Sequence, residues 1–181
     1  STAEAALDAG ADIINDVSAM EMDKSMLEVV VKTKAPVILM HMRGTPQNMQ
    51  TQCDYQNVVQ EVVVYLEKRA NLLLERGVAA NKIILDPGIG FSKSPDQNLK
   101  LLQNLEAFTS GRYPVLLGTS RKSTIGIVLG GLPPEERLEG TMATTARGVA
   151  AGVNIFRVHD VEPNLRLARM LEAIRRGKVS I

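Results

Sequence analysis

Five short runs of β-forming, almost unbroken apolar residues recur along the chain: Ala11 to Val17, Pro36 to Met42, Lys82 to Asp86, Pro114 to Thr119 and Val153 to Val158. Continuous rather than alternating apolarity is what parallel strands need when both faces are covered. Between these runs the period lengthens to that of a helix. Val58, Val59, Val62, Val63, Leu66, Ala70, Leu73 and Leu74 mark one buried face, with Asp54 as the expected N-cap and Gly77 as the stop. Ser94-Pro95 opens a second helix, proline at its first position, with Leu99, Leu102 and Leu105 turned inward. Glu162-Pro163 opens the last, with Leu165, Ala168, Leu171 and Ile174 inward and Arg175 and Arg176 suited to its negative end. Shorter helices are expected over Lys24 to Val31, Arg121 to Leu129 and Pro134 to Ala151. Ser1 or Thr2 caps a first helix that ends before Gly10.

Alternation of strand and helix predicts a parallel α/β fold, barrel or open sheet, as one domain over residues 1–181. Five strands fall short of the eight in a closed barrel, which typically takes about 250 residues. The shortfall matches three strand–helix units of roughly 25 residues each. The chain opens inside a helix without an initiator Met, so these units are expected upstream of Ser1.

Charge and composition remove several classes of function. Lys plus Arg is 21 and Asp plus Glu is 20, a net charge of +1 that gives no reason to expect bulk binding to nucleic acid or an anionic membrane. The single cysteine, Cys53, leaves no internal disulfide and no thiolate metal site. No apolar run approaches the roughly 18 residues of a membrane span, and no signal-like segment opens the chain. A cytoplasmic location is expected. Cys53 and the methionines Met20, Met22, Met26, Met40, Met42 and Met49 read as packing residues.

Polar residues gather where the strands end. Asn15 and Asp16, His41 and Arg43, Asp86, then Ser120, Arg121 and Lys122, and finally Arg157, His159 and Asp160 each follow an apolar run. In parallel α/β folds these ends face one crevice, so the groups could converge there. Each also has a plainer reading. Asn15-Asp16 and Asp86-Pro87-Gly88 suit tight turns, although Gly88 and Gly90 also permit close backbone approach beside a carboxylate. Ser120-Arg121-Lys122-Ser123 puts two cations at a helix start, which opposes the macrodipole unless an anion binds; a solvated basic turn is the alternative. Arg157 and His159 share a face of their strand and offer donors to phosphate oxygens, or are a surface Arg and a structural His. His41 and His159 lack the neighbouring ligands of a zinc site, and the glycine pairs lack dinucleotide-binding spacing.

Five segments, in order, resemble the dihydropteroate synthase family across the whole chain. Asp12-Ile13-Ile14-Asn15-Asp16-Val17-Ser18 resembles its fourth strand and Leu39-Met40-His41-Met42-Arg43-Gly44-Thr45-Pro46 its fifth. Leu85-Asp86-Pro87-Gly88-Ile89-Gly90-Phe91, Gly118-Thr119-Ser120-Arg121-Lys122-Ser123 and Arg157-Val158-His159-Asp160-Val161 resemble the sixth, seventh and eighth. The resemblance implies a partial TIM (β/α)8 barrel, strands four to eight with their helices. It implies condensation of 6-hydroxymethyl-7,8-dihydropterin pyrophosphate with p-aminobenzoate, giving 7,8-dihydropteroate and pyrophosphate. Asn15, Asp86 and Lys122 match pterin-binding positions, with Asp86 and Lys122 the expected catalytic groups and Gly90 lining the site. Arg157 and His159 match pyrophosphate ligands, Phe91 an aromatic packed on p-aminobenzoate, and Ser120 a contact to its carboxylate. Mg2+ is expected on the substrate pyrophosphate, its protein contact lying in the upstream part, and a homodimer and sulfonamide competition are expected of the whole protein. The chain alone is expected to be inactive and poorly stable, because an open barrel exposes strand edges. A methyltetrahydrofolate-dependent methyltransferase, an aldolase using Lys122 as a Schiff-base amine, and a non-catalytic pterin-binding homologue are the rival readings.

Overall fold

The computed structural model describes residues 1–45 and 47–179; Pro46, the last residue of the fifth-strand segment, lies outside them. Among the described residues, five strands alternate with eight α-helices. They run α1 (Thr2–Asp8), β1 (Ile14–Asp16), α2 (Ser25–Thr33), β2 (Val37–Met40), α3 (Val58–Glu75), β3 (Ile83–Asp86), α4 (Pro95–Gln103), α5 (Glu106–Thr109), β4 (Leu116–Leu117), α6 (Ser123–Val128), α7 (Leu138–Ala150), β5 (Ile155–Phe156) and α8 (Val161–Arg176). All observed pairings are parallel and join neighbours in chain order: β1 with β2, β2 with β3, and β4 with β5. A single bridge, Leu85 to Val115, links β3 to the start of β4, supported by Leu85 N–H donating to Pro114 O at 2.9 Å. The α/β class and parallel order are as predicted.

The strands are shorter than the apolar runs that announced them. Apolarity records which residues are covered, whereas the ladder records which have a bonded neighbour in phase. Val115 to Thr119 is thus buried throughout, but its ladder is confined to Leu116–Leu117 with the single bridge at Val115.

Strand parity sorts the side chains. Val37, Leu39, Ile83, Leu85, Val115 and Leu117 join Val62, Leu66, Ala70 and Leu73 of α3 in the main core. Their alternates Ile38, Ile84 and Leu116 form a second buried cluster on the opposite face, with Ile155 packed against it. Coverage on both faces is why these runs are not alternating. By the same register, Asn15 is paired with Ile38 and Met40 with Asp86, so Asn15 and Asp86 belong to the second face, at its carboxyl end.

Several helix details differ from the expectation. Asn57, not Asp54, caps α3, accepting Gln60 N–H at 3.1 Å, while the Asp54 carbonyl takes a guanidinium hydrogen bond from Arg43. Ser94 caps α4 in a reciprocal box with Gln97, as the Ser-Pro start predicts. The inward face of α4, however, is Asn98, Leu101 and Leu102, continued by Leu105, and Leu99 is exposed. On α8 the buried residue is Asn164, whereas Leu165 and Ile174 are exposed. Leu102 and Leu105 are buried as expected, and Ala168 and Leu171 are half-buried. The departures lie at Leu99, Leu165 and Ile174, while Asn98 and Asn164, in the first turns, take inward places. The span from Pro134 breaks at Arg137 into a 3-10 turn and α7. Met20, Met40 and Met42 are buried, but Met22 is exposed.

Candidate active site

At the end of β1 the structure separates the two adjacent polar residues. Asp16 is the turn residue: its carboxylate accepts Ser18 N–H at 2.9 Å, Ser18 Oγ at 2.8 Å and Met20 N–H at 2.7 Å. These bonds hold Ala19 and Met20 at positive φ. Asn15 is exposed on the opposite face and accepts from Arg157 Nη1 at 3.1 Å.

The segment after β3 is the centre of the site. Asp86 is 2% exposed, and its Oδ1 accepts Gly88 N–H at 2.8 Å while its Oδ2 lies 3.4 Å from Arg157 Nη2. Burial pushes the Asp86 carboxyl up from its ordinary value, against the opposing pull of the Gly88 N–H, Lys122 and Arg157. Gly88 has φ +68, and a Cβ there would lie 2.0 Å from His41 O, so only glycine lets this turn close on β2.

From the seventh-strand segment, Lys122 turns inward and Arg121 does not. Lys122 Nζ donates to Ile89 O and stands 4.6 Å from the Phe91 ring centroid; burial lowers its ammonium to about 8, although Asp86 opposes this. Arg121 sits at φ +59 and pairs with Asp160 at 2.8 Å, so its charge is already met within the protein. The two cations therefore do not form a joint anion site at the start of α6. Ser120 Oγ accepts His159 N–H at 3.1 Å and lies 2.9 Å from His159 Nδ1. With the hydroxyl donating to Nδ1, the imidazole carries its proton on Nε2. Gly118, Ser120, Lys122, Arg157, Val158 and His159 line a cleft of about 310 Å3.

Arg157 connects the strand ends. It follows β5, and its guanidinium crosses Gly118 to reach both Asp86 and Asn15. A Cβ at Gly118 would stand 2.9 Å from Arg157 Nη2, so the bare backbone there makes the crossing possible. The structure thus brings Asn15, Asp86, Lys122 and Arg157 together, with Gly90 and Phe91 beside Lys122 and the Ser120–His159 pair on the same rim.

Four residues of this region escaped the sequence reading. Lys93 is 3% exposed, with Nζ 2.9 Å from His41 Nδ1; burial lowers its ammonium to about 7 and, together with Lys93 and Arg43, lowers His41 to about 2. Asn98 Oδ1 accepts Gly90 N–H at 2.8 Å, and its Nδ2 donates to Thr124 Oγ1 at 3.0 Å. Ser92 Oγ accepts Arg43 N–H at 2.8 Å. Gly118 gives room to Arg157. No periodic signal marked them, since Ser92 and Lys93 lie in the turn before α4 and Asn98 falls outside its leucine pattern.

The geometry defines an α/β protein with one polar site on the carboxyl ends of parallel strands, built from a buried carboxylate ringed by cations. The family described as pterin binding enzyme matches residues 1–159, and the chain belongs to that family. It is 43% identical over 174 residues to the dihydropteroate synthase of Synechocystis, covering 96% of this chain and 60% of that protein. It is 43% identical over 174 residues to the dihydropteroate synthase of Bacillus subtilis, covering 96% and 58%. The solved Thermus thermophilus dihydropteroate synthase in complex with 4-aminobenzoate superimposes with a TM-score of 0.91 at 36% identity, covering 96% of this chain and 70% of that one. The Yersinia pestis dihydropteroate synthase with a sulfonamide drug complex gives 0.90 at 36% identity, covering 95% and 62%. The chain spans about three-fifths of the curated relatives it matches. No helix among the described residues is long and apolar enough to cross a membrane.

Proposed function

We propose that this chain is the portion of a dihydropteroate synthase that carries strands four to eight of a (β/α)8 barrel. The observation that carries the reading is the Arg157 guanidinium lying across Gly118 onto Asp86 and Asn15, which couples a pterin acceptor to a cation for the leaving group. The second buried cluster, on the face away from the main core, supports the barrel: it is where a curled sheet's interior would lie.

In this reading Asp86 accepts adjacent N–H groups of the pterin, and Asn15, with a donor and an acceptor, matches a mixed edge. The C–O bond to pyrophosphate breaks with its electron pair leaving on oxygen. Arg157, Lys122 and the Nε2–H of His159 stabilise the departing charge, while anionic Asp86 steadies the pterin-methylene cation. The p-aminobenzoate nitrogen then attacks that carbon and loses a proton. Phe91 offers its ring to the arylamine. Ser120 aims His159, so a direct bond to the p-aminobenzoate carboxylate would require its hydroxyl to leave that partner. Mg2+ in this proposal travels on the pyrophosphate, its protein contact lying in the upstream part.

Homodimer assembly belongs to the same proposal; exposed Leu165, Met170 and Ile174 on α8 are apolar surface that a partner or the upstream helices would cover. The test is pyrophosphate release by the chain with its upstream third in place, given dihydropterin pyrophosphate with and without p-aminobenzoate. Release with dihydropteroate formation, lost in Lys122→Ala, is expected. Saturable pterin binding without release would instead favour the methyltransferase or the non-catalytic homologue, and borohydride trapping of a carbonyl substrate on Lys122 would favour the aldolase.

A further inference from the structure

Lys93 is the most deeply buried cation of the site region, and no carboxylate forms an ion pair with it among the described residues. Its Nζ instead meets four neutral acceptors: Phe91 O at 2.9 Å, His41 Nδ1 at 2.9 Å, Gly88 O at 3.0 Å and His41 O at 3.4 Å. An ammonium removed from water without a carboxylate in contact is unfavourable, and the more distant Asp86 charge opposes the burial only in part. An apolar side chain of the same length would avoid that penalty. What the ammonium does here is geometric. Gly88, Phe91 and His41 belong to two different strand ends, and Nζ is the point where all three are tied.

We propose that Lys93 is a positioning residue of the pterin site, a buried clamp that fixes the turn after β3 against His41 and so aims the Asp86 carboxylate. The linkage runs through Gly88, whose carbonyl accepts from Lys93 and whose N–H is held by Asp86 Oδ1 at 2.8 Å. Asn98 holds the far side of the same turn at Gly90 N–H, and Lys122 donates to the Ile89 carbonyl between them. Each residue from Gly88 to Phe91 thus has a backbone group bonded to a side chain, and Phe91 N–H closes the turn on Gly88 O at 3.1 Å. His41, neutral and edge-on to the Tyr65 ring at 4.8 Å, is the fixed end of the clamp. The inference rests on the proposed role of Asp86 as the pterin's acceptor.

The experiment compares Lys93→Met, Lys93→Arg and Thr145→Val in the full-length protein, measuring thermal stability and the Kd of 6-hydroxymethylpterin by calorimetry. Thr145 is equally buried but bonds Asn164, between α7 and α8, at 2.7 Å and not the turn after β3. Lys93→Met is expected to weaken pterin binding by about tenfold or more, with Lys93→Arg recovering part of it, while Thr145→Val lowers stability at unchanged Kd. A wild-type Kd in Lys93→Met overturns the clamp. Should Lys93→Met fail to fold, Lys93→Arg decides: its planar fork keeps the charge but cannot meet four acceptors around one point, so a wild-type Kd there overturns the proposal too. Pterin affinity is common to every reading of this family. Absence of dihydropteroate synthesis by the wild type would therefore sink the synthase reading while the Kd comparison still judged Lys93.

Discussion

Acid should unfold this protein in part through one imidazole, that of His41. It is 2% exposed, its Nδ1 faces the Lys93 ammonium at 2.9 Å, and burial followed by Lys93 and Arg43 holds it down to about 2 from an ordinary 6.5. The folded-state value is depressed, so between those two limits the unfolded chain binds the proton and the native chain does not. Stability therefore rises with pH across that window, is fully present above 6.5, and is lost as pH falls. One pKa unit is worth about 1.4 kcal/mol, so lowering the pH from 6.5 to 4 removes about 3 kcal/mol through this group. Asp86, whose value is raised, acts with the opposite sign, as does any carboxyl in that state. The assay therefore takes a difference: urea unfolding of the full-length protein and of His41→Leu, from pH 7 to 4. His41→Leu leaves Lys93 with carbonyl acceptors at Phe91, Gly88 and residue 41, enough for its three donors. The stability of wild type minus that of His41→Leu is expected to fall by about 3 kcal/mol as pH drops through this range. A difference that stays flat would refute the buried neutral imidazole.

Gly118→Ala should fold normally, since its backbone is not in the left-handed region, yet displace Arg157 from Asp86. Steady-state kinetics is expected to show a loss of about a hundredfold in kcat/KM for the pterin pyrophosphate, and unchanged kinetics would detach Arg157 from the chemistry. Leu66→Ala on α3, at a fully buried position in the main core, should cost about 2–5 kcal/mol in chemical denaturation, with pterin affinity at permissive temperature unaltered.

Much of the candidate site was legible because it follows from strand direction. A polar residue ending an apolar run in a parallel sheet has few places to go, and that ground offered Asn15, Asp86 and Arg157 among the candidates from which the family resemblance then selected. The split between Asn15 and Asp16 was not legible, because both residues suit turns; strand parity and the Ser18 and Met20 amides chose between them. By residue type alone Arg121 and Lys122 look alike at the start of a helix; the resemblance favours Lys122, and the Arg121–Asp160 pair gives the physical reason.

By itself the sequence determined the parallel α/β class, the order of strands and helices, and the carboxyl-end location of the polar groups, since these depend on local periodicity and chain direction. Tertiary structure decided what depends on distant partners. The inward places of Asn98 on α4 and Asn164 on α8 turned on their polar contacts, which a hydrophobic count scores as outward. Lys93 reads as a surface residue until folding sets it beside His41, 52 positions earlier in the chain. Gly118 reads as a break in a strand until Arg157 passes over it. A buried cation and a missing side chain carry no periodic signal; their meaning comes from the atoms that fill the space around them.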